Sequence, residues 1–191
     1  ATTSNESGKK KEEEEKEERE AKAMTLMDLA VAFVPHLDTD NTQFLLRVVT
    51  PMLDTTSTTS SKGLQKHAWK VVEAMCAHKC STPQAIAGFG ELLVTKAPAP
   101  YTKKMWLRCV AALVRAAGGA TAAREKVVTA VLPAVILGVK DANSKTRTEA
   151  FETIVRLAEV YGENNSGGGV EGLCSIVAAG LGGKNPHMIA A

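Results

Sequence analysis

The chain has 191 residues, a formal net charge of +2, and a composition that is 45% hydrophobic but only 4% aromatic. That length suits one ordinary domain or about four to five helical hairpins of roughly 40 residues each. Its longest apolar runs are broken by Pro or Gly and stay below the ~20 residues of a membrane-spanning helix, and the polar N-terminus has no signal-peptide core.

Residues 1–20 read as a charged, largely disordered lead-in. Within and just beyond it, KKKEEEEKEEREAK is helix-prone through Glu/Lys pairs at spacings of three and four. Residues 21–191 read as helical repeats. The first apolar helix is expected from Ala21 to Leu37, with Leu26, Leu29, Ala30 and Phe33 as its stripe. The DTDN segment ends it and caps a helix running from Thr42 to Leu53. A Ser/Thr-rich turn leads to the helix Lys62–Lys79. Thr82-Pro83 opens another, with Thr at the cap and Pro at the first position, and APAP breaks it near residue 98. Helices Tyr101–Ala117, Arg124–Val139 and Ser144–Tyr161 follow. A Gly/Asn loop, a helix Val170–Leu181 and a new start at Asn185-Pro186 complete the chain. No strand signal interrupts these elements. They pair into hairpins 42–79, 83–117, 124–161 and 170–191, the last cut short. A chain that opens on Ala and stops inside a new helix reads as a piece of a longer protein.

The stretch Val127–Arg156 is the most telling. An apolar helix containing Pro133 turns through KDANSK into a helix that puts Ala150, Phe151, Ile154, Leu157 and Ala158 on one side. Such a hairpin cannot bury its apolar face alone, so it implies a stacked array. Asp141 and Arg147 stand across the turn, in reach of one another and of counterparts in a neighbouring unit; they are the expected inter-repeat ladder. Aliphatic–Pro breaks at Pro35, Pro51 and Pro133 suggest bent first helices. Trp69, Trp106 and Phe151 fall near equivalent places in the second helices and read as core. The fold class is therefore all-α, a HEAT/armadillo-like solenoid of helical hairpins.

No catalytic constellation stands out. The four His are scattered, and Gly167-Gly168-Gly169 lacks both a following Lys-Ser/Thr and a preceding strand, so it is no phosphate loop. Cys76, His78 and Cys80 do not make a metal site, because a helix turns the two thiols to one face and the imidazole away. Cys76, Cys109 and Cys174 fall on apolar helix faces as small hydrophobes, a usage that fits a reducing compartment. The expectation is a non-enzyme with no cofactor, no metal and no small-molecule substrate. Its positive signal is basic. Residues 61–126 hold eleven Lys/Arg against three Glu, while the flanking segments 23–60 and 127–191 are acidic. Lys62, Lys66 and Lys70 recur opposite the Leu64–Ala68–Val71 stripe, and Lys104, Arg108 and Arg115 recur on the next second helix. Those six are the candidate band for an anionic partner. Phosphate contacts of this kind position a backbone without reading bases.

Two segments carry a family resemblance. VKDANSKTRTEAFETIV resembles the repeat of the large nucleolar HEAT proteins typified by ribosomal RNA-processing protein twelve. Ala179, Gly180, Leu181, Gly183, Pro186, His187 and Met188 resemble a more distinctive run of the same family. DLAVAFVPHL and LQKHAWKVVEAMC fit its style. The Gly/Asn loop 162–169 departs from the family pattern and looks like an insertion. The resemblance implies a nuclear and nucleolar scaffold for the small ribosomal subunit precursor. Its implied partners are pre-ribosomal RNA and assembly proteins, with a contribution to export. An alternative of another class is a nuclear transport receptor or adaptor that binds a small GTPase or a cargo peptide.

Overall fold

The computed structural model describes residues 3–54, 61–117 and 122–163, together with Cys174 and Ala178; side chains within those spans are described from Lys11 to Val160. Seven α-helices lie in these segments: α1 (Thr3–Phe33), α2 (Thr39–Val49), α3 (Lys62–Lys79), α4 (Pro83–Thr95), α5 (Lys103–Ala116), α6 (Ala122–Gly138) and α7 (Ser144–Glu163). The described residues contain no strand. The charged run is helical from Thr3 and continuous with the apolar half of α1, with no break at residue 20.

Local signals place the helix starts. Asp38 accepts the Asn41 amide at 2.8 Å ahead of α2. Ser61 accepts the Leu64 amide at 3.2 Å ahead of α3, and Thr82 accepts the Ala85 amide at 3.2 Å ahead of α4, where Pro83 occupies the first turn. Asn143 accepts the Lys145 amide at 2.9 Å where α7 begins. Each such side-chain cap contributes ~1 kcal/mol; α3, α4 and α7 begin where expected, whereas α2 begins at Thr39, three residues before the expected Thr42, and ends at Val49. Prolines at the other ends act differently from expectation. Pro35 and Pro51 sit in single 3-10 turns, Val34–His36 and Thr50–Leu53, that finish α1 and α2. They mark helix ends. Pro133 lies in the interior of a described helix, whereas Pro83 takes the first position of α4.

The helices stack in two layers. α1, α3, α5 and α7 pack side by side, and α4 packs on α6 in the other layer. Each of α2, α4 and α6 packs on the helix that follows it, as the pairings 42–79, 83–117 and 124–161 require. The fourth expected hairpin lies outside the described residues except for Cys174 and Ala178. The core runs between the layers through Trp69, Met75, Leu107, Leu113, Leu132 and Leu157, all buried. Three polar ties cross it. The Trp106 indole donates to the Leu93 carbonyl at 2.9 Å, joining α5 to α4. The Cys109 thiol donates to the Trp69 carbonyl at 3.5 Å, joining α5 to α3. The Thr153 hydroxyl donates to the Leu107 carbonyl at 3.4 Å, joining α7 to α5. α4 and α6 approach closely because Gly90 has no side chain: a Cβ there would lie 2.1 Å from a Val127 methyl.

Three core assignments change. On α1 the residues packed against the core are Ala23, Met24, Met27, Ala30 and Val31; of the expected stripe Ala30 is among them, while Leu26, Leu29 and Phe33 face solvent. On α7 the buried line is Thr146, Ala150, Thr153 and Leu157, at helical spacing. Phe151 lies off that line and is 55% exposed, so it is not a knob between hairpins, unlike Trp69 and Trp106. Cys174 is exposed, whereas Cys76, Cys80 and Cys109 are buried.

Candidate functional site

The six candidate basic residues lie on α3 and α5, five exposed and Lys104 half-buried, but they are not one free band. Lys70 faces Asp28 of α1 at 3.4 Å. Arg108 pairs with Glu73 of α3 at 2.7 Å. Lys104 reaches Glu149 of α7 at 3.9 Å. Each pair crosses from one helix of the layer to the next, so three of the six cations act as struts between neighbours. Lys62 stands 5.6 Å over the Tyr101 ring, a cation–π contact that leaves its ammonium open to solvent. Lys66 and Arg115 are exposed and make no ion pair among the described residues. Lys62, Lys66 and Arg115 are therefore exposed without an ion pair among the described residues, whereas Lys70, Lys104 and Arg108 each face an acid.

Sequence reasoning missed the acids. Asp28, Glu73 and Glu149 come from three different helices, two of them outside the basic window. Glu149 is buried, and burial, seconded by nearby Glu152, pushes its carboxyl above the ordinary glutamate range. Arg108, Arg156 and Lys104 pull the other way without prevailing. Arg156 spans Glu149 at 3.4 Å and Glu152 at 3.2 Å. The three arginines 108, 115 and 156 and the three glutamates 73, 149 and 152 line one shallow cavity of about 360 Å3.

The expected inter-repeat ladder takes a different form. Arg147 donates to the backbone carbonyls of Asp141 at 2.8 Å and Ala142 at 3.0 Å, which fixes its own turn. The Asp141 carboxylate instead accepts from Lys103 of the preceding hairpin at 3.0 Å. Burial works to raise the Asp141 carboxyl, yet the Asn143 amide, Lys103 and Arg147 outweigh it and hold it below the ordinary aspartate value. On the other side of the same hairpin, Lys96 donates to Asp54 at 2.5 Å. The α4–α5 turn is thus clamped from both neighbours, by Asp54–Lys96 and by Lys103–Asp141.

Cys76 and Cys80 are buried and His78 is exposed, so the three do not converge. The Cys76 thiol is pushed well up by its hydrogen bond with Cys80 and by burial, and the Cys109 thiol by burial and by Glu73. Among the described residues no cluster of three His, Cys, Asp or Glu is placed to hold a metal ion. No described helix is long and apolar enough to cross a membrane.

No family model matches the chain. Two curated proteins do. The chain is 28% identical to the RRP12-like protein of Homo sapiens over 155 residues, and 27% identical to the RRP12-like protein of Gallus gallus over 149 residues. Those matches cover 72% and 74% of the chain. The resemblance drawn from the two sequence segments is thereby supported by curated relatives. The chain spans 11% of the length of each.

Proposed function

We propose that this chain is a non-catalytic, HEAT-like scaffold segment that serves ribosome biogenesis in the nucleus and nucleolus. It assembles on the small-subunit precursor by binding pre-ribosomal RNA and assembly proteins. The observation that carries the reading is the similarity to RRP12-like proteins across 72–74% of the chain. The stacking of helices in two layers supports it, since that geometry offers a broad face. On that face Lys62, Lys66 and Arg115 contact RNA phosphates, and the acids beside Lys70, Lys104 and Arg108 limit how much RNA the face attracts. The test is ultraviolet crosslinking of the tagged protein to RNA in cells, followed by sequencing of the adducts. Enrichment of small-subunit precursor RNA is the expected result. Recovery of a nuclear transport GTPase without precursor RNA would favour the transport-receptor reading instead. In vitro, Lys66→Glu with Arg115→Glu should weaken RNA binding about tenfold for all sequences alike, because phosphate contacts carry no base information. Unchanged affinity in the folded double variant would remove this face from RNA binding.

A further inference from the structure

The turns joining α2 to α3, α4 to α5 and α6 to α7 line one edge of the stack, and printed contacts between them fix the row. Lys96 pairs with Asp54, and the Tyr101 hydroxyl donates to the Gln65 side chain at 2.5 Å, which sets the α4–α5 turn beside the start of α3. Lys62, the first residue of α3, stands over the Tyr101 ring. Lys103, the first residue of α5, pairs with Asp141 of the α6–α7 turn at 3.0 Å. α3, α5 and α7 therefore all begin on this edge. Charge collects there. Residues 61–66, 96–104 and 139–147 hold eight Lys and Arg against one acid, Asp141, with Asp54 beside them. The opposite edge, where α2, α4 and α6 begin, is near balance: residues 37–42, 78–84 and 115–126 hold four Lys and Arg against three Asp and Glu.

Half of the eight cations are engaged. Lys96 and Lys103 hold the two Asp, Lys104 reaches Glu149 of α7 at 3.9 Å, and Arg147 is turned to the Asp141 and Ala142 carbonyls. Lys62, Lys66, Lys140 and Lys145 are exposed and make no ion pair among the described residues. Lys140 and Lys145 belong to the acidic segment 127–191, so no local charge sum marks them; the fold alone brings them into line with Lys62. The row has a boundary at α1. A Cβ on Gly63 would lie 2.9 Å from the Met24 sulfur, so the start of α3 is level with Met24 and the preceding part of α1 runs past it. There residues 11–22 carry seven Glu against four Lys and Arg. Free positive charge thus runs away from α1, from α3 across α5 to α7, over roughly 20 Å at ordinary helix spacings. The first turns of these three helices expose no large apolar side chain, whereas a protein interface would place apolar anchors at its centre.

We propose that a single-stranded RNA backbone crosses the stack along this edge, with Lys62, Lys66, Lys140 and Lys145 on its phosphates. One line of charges follows one strand. This path rests on the RNA-binding reading above and extends it: Lys62 and Lys66 are kept, two residues of the next hairpin are added, and Arg115, in the last turn of α5 at the opposite edge, is not required. The paired Lys96 and Lys103 hold the turns at fixed spacing between the free lysines. Contacts of this kind bind all base sequences alike and weaken with salt.

The probe is a fluorescent oligouridylate, titrated against the full chain by anisotropy at several salt concentrations. Four contacts give a slope of log affinity on log salt of about −3, at about −0.7 per contact. Lys140→Glu with Lys145→Glu should make that slope shallower by about 1.4 and weaken binding about tenfold. Lys62→Glu with Lys66→Glu should do the same. Lys126→Glu, an exposed change near the start of α6 at the opposite edge, should alter neither. Circular dichroism and thermal melts check that each variant is folded, which these exposed side chains permit. A loss confined to the Lys62 and Lys66 variant would overturn the path while leaving the RNA reading standing. No loss in either double variant would overturn the path and remove Lys62 and Lys66 from that reading as well. Equal loss on Lys126→Glu would overturn it as an effect of net charge. So would tighter binding of an oligoglutamate than of the oligouridylate, which would make the edge a site for an acidic protein segment.

Discussion

Two glycines one turn-half apart on α4 should respond to the same substitution with opposite signs. Gly88 is exposed, and a Cβ built on it meets nothing within 4 Å. Gly88→Ala should therefore show only the helix-propensity gain of Ala over Gly, about 0.5–1 kcal/mol of added stability. Gly90 is buried against α6, and its Cβ would lie 2.1 Å from one Val127 methyl, 3.1 Å from the other and 3.2 Å from the Val127 Cβ. Rotating a β-branched side chain moves its methyls but not its Cβ, so the two helices must separate. Overpacking of this kind costs roughly 1–3 kcal/mol or more. After the propensity gain is subtracted, Gly90→Ala should still destabilise by about 1–2 kcal/mol, which in a chain of this size lowers the thermal midpoint by roughly 2–8 °C. Urea and thermal melts of the two variants beside the parent measure this. If Gly90→Ala is as stable as Gly88→Ala, the close approach of α4 and α6 is wrong, and with it the packing of that layer.

Other expectations follow from burial and charge. Trp69→Ala should cost about 3–5 kcal/mol in a urea melt, the range for a fully buried large side chain, whereas Phe151→Ala should cost well under half of that because its ring is half in solvent. Native thiol titration at mildly alkaline pH should label Cys174 quickly and Cys76, Cys80 and Cys109 only on unfolding; a second fast thiol would contradict the packing of α3 and α5. Asp141→Asn keeps the turn geometry but removes the charge facing Lys103, so it should cost about 1 kcal/mol at neutral pH. The Asp141 carboxyl is lowered on folding, so its contribution is full above the unfolded value of about 4 and is lost as pH falls through the folded value. The stability gap between parent and Asp141→Asn should accordingly close below about pH 4, and a gap that persists there would exclude the ion pair as its source.

Helix positions were legible because they are set locally. α3 runs over the span Lys62–Lys79 expected after the Ser/Thr-rich turn, and α4 begins where Thr82-Pro83 says it should. Which face of a helix is buried was legible only where one apolar stripe exists. α5 has one such stripe, and Trp106, Cys109 and Leu113 are buried as expected. α1 carries two, one through Leu26, Leu29 and Phe33 and one through Met24, Met27 and Val31. Both satisfy helical spacing, and only the position of α3 selects the second. α7 poses the same ambiguity. There the line through Ala150 and Leu157 includes Thr146 and Thr153, whose hydroxyl is satisfied by backbone carbonyls of Glu149 and Leu107. A polar residue on a buried line hides that line from an apolar-pattern reading.

The charge pattern was the harder problem, because a local sum counts only residues adjacent in sequence. Eleven cations against three Glu in residues 61–126 read as a strongly basic unit. In the folded chain the neighbours of α3 and α5 are α1 and α7, which bring Asp28 and Glu149 from acidic segments. The turns bring Asp54 and Asp141 to Lys96 and Lys103. Lys79 is engaged too, donating to the Pro35 and Leu37 carbonyls at 3.0 and 2.6 Å at the end of α1. Much of the excess positive charge thus holds successive hairpins together. Exposed pairs of this kind contribute little each, but Glu149 is buried, and reversing Lys104 or Arg108 would set like charge against the acids around it. Those two positions therefore confound partner binding with folding. Lys66 does not, since it is exposed with no ion pair to lose among the described residues, and it is where a charge reversal reports on a partner alone; Arg115 shares its cavity with Glu73, Glu149 and Glu152, so its reversal also adds like charge there.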